Sequence, residues 1–143
     1  MSRISRFAAL VIVMFGSASL LHAEPDAEQA KTLAKLAKIR LDAASKTYQV
    51  LWQNYREGRR SSDELLYRWS KRWLDAEREV HAQPAEQVAA LKGHYDRMVD
   101  LERIIRKVSQ AGQGTVNELS AAEFYRTEAE LWLLEAKAGK KAP

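Results

Sequence analysis

The residues able to do chemistry in this chain are a large set of carboxylates, two histidines beyond the N-terminal segment, and a knot of arginines among aromatic rings. Asp75, Glu77, Glu79, Asp96, Asp100, Glu102, Glu123, Glu128 and Glu130 supply acid–base groups. Two carboxylates flanking a cleft could hydrolyse a glycoside. On helices, however, these residues offer three- and four-residue partners to basic side chains, the pattern of a solvated, ion-paired face. Nothing singles out one pair as an acid and its base. His81 and His94 lack a glutamate three residues before them, which the Glu-x-x-His pairs of a helical di-iron site require. Both read as surface histidines near the second turn. The absence of cysteine excludes disulfides, thiol chemistry and Cys-ligated zinc. The expectation is a non-catalytic protein with no metal and no cofactor.

The arginine knot is the stretch YREGRRSSDELLYRW and its surroundings. Trp52, Tyr55, Tyr67, Trp69 and Trp73 gather there, with Arg56, Arg59, Arg60, Arg68 and Arg72 among them. Interleaved arginines and aromatics can stack nucleic-acid bases, a partner that the export signal described below argues against. A phosphate-binding P-loop needs several glycines and a Gly-Lys-Ser/Thr ending after a strand, and this stretch has neither. Trp69 and Trp73 lie four apart on an apolar seam and read as core, while Tyr67, Arg68 and Arg72 fall off it. The candidate ligand or partner surface is therefore Trp52, Arg56, Arg59, Arg60, Tyr67, Arg68 and Arg72. An acidic glycan or lipid headgroup would suit it.

The elements that must position these residues are helices. The 143 residues suffice for one domain with a modest core. A 46% hydrophobic and 29% charged composition is that of a folded chain, and the dominance of Ala, Leu, Glu, Lys and Arg favours helix. Residues 1–23 read as a signal peptide: Arg3 and Arg6 form a basic start, residues 7–21 are apolar, and Leu21-His22-Ala23 offers a cleavage site before Glu24. The apolar run is short for a membrane span of roughly 20 residues. The expected location is the periplasm or cell envelope, with no stable span once the signal is removed. The signal holds two of the arginines and no acid, so the +4 of the whole chain falls to about +2 beyond it. That is a weak attraction for a polyanion.

Residues 25–54 predict one long helix, with Ala34, Ala37, Leu41, Ala44, Tyr48, Leu51 and Tyr55 in three-four spacing. A second helix starts after Ser61 with Leu66, Trp69, Trp73, Ala76 and Val80, and ends before Pro84. A third begins at Pro84 and carries Val88, Leu91, Tyr95, Met98, Leu101, Ile105 and Val108. Gly93 inside it suggests a close helix approach or a kink. A fourth runs over residues 116–138 with Leu119, Ala122, Ala129, Leu133 and Ala136 inward. Its four consecutive apolar residues, Leu131 to Leu134, cover more than one face, so it is buried on two sides or one face meets a partner. No stretch alternates like a strand. The fold class is all-α: two tandem antiparallel hairpins, residues 25–83 and 84–138, in an elongated four-helix, coiled-coil-like bundle. Residues 139–143 read as a frayed tail.

The two hairpins repeat one another. Gly58 recurs as Gly112, 54 positions on, and the same step takes Ser61 to Thr115, Glu64 to Glu118 and Leu65 to Leu119. The glycines suit the left-handed turn that closes a helix. Ser61 and Thr115 are the expected N-caps, each in a capping box with the glutamate three residues later. Tyr55-x-x-Gly58-x-x-Ser61-x-x-Glu64-Leu65-Leu66, followed by Leu74-x-Ala76, resembles the recurring helical motif of outer-membrane efflux proteins of the TolC type, where an aromatic-x-x-Gly turn precedes a capped helix and occurs twice per chain. The second copy has Ser109 where Tyr55 stands. The resemblance covers roughly residues 40–135 in two pieces and lacks that family's membrane strands. It implies a periplasmic helical module that associates with itself or with another envelope protein.

Overall fold

A computed structural model describes residues 26–59 and 61–140. Arg60, residues 141–143 and residues 1–25, which hold the expected signal peptide, lie outside the described residues. Four helices follow one another: α1 Ala27–Arg56, α2 Asp63–Val80, α3 Pro84–Gln110 and α4 Val116–Lys137. Among the described residues there is no strand. The chain is all-α, with α1 packed along α2 and α3 along α4. Each pair is antiparallel: Arg40, midway along α1, reaches Glu79 at the end of α2, while the later Tyr48 meets the earlier Trp73, and Glu102 of α3 meets Arg126 of α4 at 2.6 Å while the later Arg106 meets the earlier Glu123.

The four helices do not surround a common axis equally. α2 packs on α1, α3 and α4, whereas the backbone of α1 approaches neither α3 nor α4. The core follows from this. One cluster joins Tyr48, Leu66, Met98, Leu101, Ile105, Ala122 and Ala129. A second, towards the α2–α3 turn, joins Leu74, Ala90, Leu91, Trp132 and Leu133. The inward alanines of α4 let its backbone sit close to α3, whose Leu and Met side chains fill the space between them.

Length leaves one end uncovered. α1 has 30 residues and α2 has 18, so about 45 Å of helix faces about 27 Å. Residues 26–36 are all exposed, and Ala37 is the first buried position. Ala34, although on the predicted seam, therefore has nothing to pack on. Gly93 is not a close helix contact either: an added Cβ would meet only the Arg97 Nη1 atom, at 3.4 Å.

The corners are built alike at the helix ends and offset at the starts. Gly58 and Gly112 take φ of 69° and 73°, positions where a side chain is strained. In each corner the next residue donates back into the helix, Arg59 to the Asn54 carbonyl at 2.8 Å and Gln113 to the Val108 carbonyl at 3.1 Å, which is the Schellman closure. The following N-caps differ from the expectation. Thr115 and Glu118 form the capping box, but the first corner is capped by Ser62, which accepts from the Leu65 amide at 3.1 Å. Ser61 caps nothing, and its buried hydroxyl has no partner among the described residues. Glu64 pairs with Arg68 instead of reaching back. The first corner is one residue longer, so the second helix of each hairpin repeats 53 positions on (62 to 115) and the first 54 (58 to 112).

Ser62→Ala and Thr115→Ala should each lower stability by about 1 kcal/mol in urea titration, while Ser61→Ala should leave the midpoint nearly unchanged. An equal loss at Ser61 would contradict the offset cap.

Candidate functional site

The densest polar chemistry lies inside the molecule, where α2 crosses α3. Ser70 and His94 are both fully buried. In the three-four stripes of their helices they stand where leucines would be expected, Ser70 between Leu66 and Leu74, His94 between Leu91 and Met98. The Ser70 hydroxyl lies 2.8 Å from His94 Nδ1. Arg97 Nε donates to the same Ser70 oxygen at 2.7 Å. Arginine only donates, whereas the serine hydroxyl has one proton and two lone pairs, so the Ser70–His94 contact serves either histidine tautomer. Nε2 has no partner among the described residues. The imidazole stacks on Trp132 at 5.8 Å and faces Tyr67 at 6.2 Å. Arg97 covers the Trp73 ring at 4.0 Å and the Tyr48 ring at 5.6 Å.

A serine 2.8 Å from a histidine has the spacing of a nucleophile and its base. The surroundings work against that role. Both groups are enclosed, and the serine oxygen is held by a guanidinium. Burial, with the charges of Arg97 and Lys71, pushes the His94 pKa down to about 3, far from the value near 7 that suits a base at neutral pH. The arrangement is a clamp between the two hairpins. Glu77 belongs to its margin: burial raises its pKa, and the charge of Arg97 opposes that rise.

An ion-pair network occupies the matching place between α3 and α4. Glu102, read from sequence as a solvated carboxylate, is buried. It accepts from Arg106 and from Arg126 Nε. Arg106 also reaches Glu123 at 2.9 Å and Arg126 reaches Glu130 at 2.6 Å. Burial alone would raise the Glu102 pKa, but the two arginines outweigh it and hold it below the ordinary range. His94 is likewise a correction to the surface reading. His81 does sit near the second turn, 3.6 Å from Glu86. Among the described residues no three metal-ligating side chains gather.

The arginine corner is dispersed by the fold. Tyr67 turns inward, stacking on Tyr125 at 4.2 Å and donating to Glu128. Arg68 pairs with Glu64 and Arg59 with Glu57. Trp52 and Arg56 share a shallow depression on α1 with Gln53 and Glu57. Arg72 lies 4.6 Å over Trp69, in a separate groove with Arg40, Ala43, Ala44 and Ala76. Arg60 is outside the described residues. The predicted residues thus fall into at least two surfaces, and the core tryptophans Trp69 and Trp73 are half-buried rather than enclosed.

A different surface feature stands out. Leu131 and Leu134 are more than half exposed, and so is Phe124. They continue a three-four stripe, Ser120, Phe124, Thr127, Leu131, Leu134 and Ala138, every member of it exposed. It runs opposite the buried Ala122, Ala129 and Leu133. Comparison with protein-family models, curated proteins and solved structures gives no match.

The clamp makes stability depend on acid. The His94 pKa is about 3 in the fold against 6.5 ordinarily, so the unfolded chain binds the proton first and stability falls as pH drops from about 6.5 towards 3. From pH 7 to 5 the loss should be about 2 kcal/mol by denaturant titration, and His94→Gln should flatten that slope. An unchanged slope would contradict a neutral buried histidine. Glu102→Gln should cost about 2–3 kcal/mol at pH 7 by leaving two arginines short of their carboxylate.

Proposed function

We propose that this chain is an exported, non-catalytic helical interaction module of the cell envelope, which works by presenting helix faces to a second copy or to another envelope protein. The observation that carries this reading is the second apolar stripe of α4. A helix needs one apolar face to join its own core, and α4 has that face in Ala122, Ala129, Trp132 and Leu133. Phe124, Leu131 and Leu134 add another that nothing among the described residues covers. Contiguous apolar surface of this kind marks association sites.

Two further features support it. The signal-like first 23 residues and the doubled Gly-turn-cap motif, with its likeness to the periplasmic helices of TolC-type efflux proteins, suit an envelope helical module. Ser70, His94 and Arg97, and likewise Glu102 and Arg126, are in turn engaged with one another. A module for acidic glycans or lipid headgroups has less support, because Arg59 and Arg68 already hold carboxylates and Tyr67 points inward.

Sedimentation velocity on the chain from Glu24 should show concentration-dependent association. Leu131→Gln combined with Leu134→Gln should weaken it at least tenfold with helicity unchanged. A monomer at every concentration, with no specific envelope protein binding that face, would overturn the reading.

A further inference from the structure

The uncovered end of α1 carries a stripe of the same spacing. Thr32, Leu36, Ile39, Ala43, Lys46 and Val50 follow one another by four and three residues, all exposed. Leu36, Ile39 and Val50 are each more than half exposed. The two stripes differ in charge. Between residues 27 and 39, α1 holds Lys31, Lys35 and Lys38 against Glu28 alone. Ile39 shares a shallow groove with those three lysines, Ala34 and one acid, Asp42. Along α4 the stripe is bordered by Glu123 and Glu130 on one side and Glu128 and Glu135 on the other. Five glutamates of α4 meet Arg126 and Lys137 on the same helix and Arg106 of α3, which pairs with Glu123; Glu130 pairs with Arg126, and Glu128 and Glu135 carry the negative flank on the other side.

We propose that the lysine-flanked first half of α1 in one copy docks on the glutamate-flanked outer stripe of α4 in another. This rests on the self-association reading above and names its surfaces. Matching three-four spacings let side chains of one stripe fill the gaps of the other. Charge selects the pairing: α4 against α4 sets glutamates opposite glutamates, α1 against α1 sets lysines opposite lysines, and only the mixed pair brings unlike flanks together. A single chain cannot satisfy itself, because its α1 and α4 do not touch. The contact joins two different patches, so it closes into a ring or dimer or propagates as a chain according to the angle between them. An anionic membrane surface would suit α1 but repel the α4 flanks.

The chain has no cysteine, so single thiols report cleanly. Leu36→Cys and Leu131→Cys sit at exposed positions and should leave the fold intact, checked by circular dichroism. The two variants, made distinguishable in mass, are mixed in equal amounts and treated with a bismaleimide of flexible spacer. The mixed cross-link should exceed either like-with-like product several-fold, and Lys35→Glu with Lys38→Glu should abolish that preference. Association with equal or preferential like-with-like cross-linking would overturn this pairing while leaving self-association standing. A monomer by sedimentation with no cross-link would remove both. Pelleting with phosphatidylglycerol vesicles without a mixed cross-link would assign the α1 stripe to a membrane surface and overturn the proposal.

Discussion

Arg97 is a half-buried guanidinium wedged between two hairpins that also meet through shared apolar clusters and the Tyr67–Glu128 contact. Removing such a charge from water is costly unless it is paired and hydrogen-bonded. Burial lowers its pKa, and Glu77, Tyr48 and Asp96 act in the opposite sense. The rest of the compensation comes from two helices at once: the Ser70 hydroxyl and carbonyl and the Trp73 ring on α2, and the Tyr48 ring on α1. Because α1 has no backbone contact with α3, the stacking of Arg97 on Tyr48 is among the few ties between them. Ser70 in turn orients His94, and His94 carries the ring stack to Trp132 of α4. One polar node therefore touches all four helices.

The two hairpins reach the same layout by different chemistry. The first helices correspond at a step of 54 and the second at 53, which sets Tyr48 over Glu102 and Trp73 over Arg126. In the first hairpin the pair is two rings with centroids 5.7 Å apart, and in the second it is an ion pair at 2.6 Å. The aromatic version leaves a π-face for Arg97. The ionic version is satisfied within its own hairpin by Arg106, Glu123 and Glu130. Arg97 and His94 of the second hairpin, by contrast, complete their polar contacts on Ser70 of the first.

Helix number, order and boundaries were legible because apolar spacing and turn residues act locally. The three-four seams located Leu66, Met98, Leu101 and Ile105, and the glycines located both corners. What escaped depends on which helix lies opposite. Ser70, His94 and Glu102 are polar residues standing in seams of their helices, a signal present in the sequence; His94 and Glu102 read as surface chemistry, and Ser70 is not among the sequence candidates. Ser61 and Ser62 are equivalent as capping residues, and only the length of the corner decides between them. The arginine corner looked coherent along the chain, yet successive residues of a helix point about 100° apart, so Tyr67, Arg68 and Arg72 face different surroundings. The resemblance to TolC-type helices rests on the corner motif, and the corner is the part that the seams and caps explain without reference to any function.

The picture is of a scaffold fixed from within by the α2–α3 node and presenting stripes on its two outermost helices, where rigidity lowers the entropic cost of docking. Its central claim is that the two hairpins behave as one body. Native-state amide hydrogen exchange in rising denaturant tests this most directly, since cooperative units reveal themselves as separate or merged opening free energies. The account predicts that the slowest amides of α1–α2 and α3–α4 merge on one opening free energy, and that Arg97→Met splits them. Two distinct opening energies in the unaltered chain would contradict it.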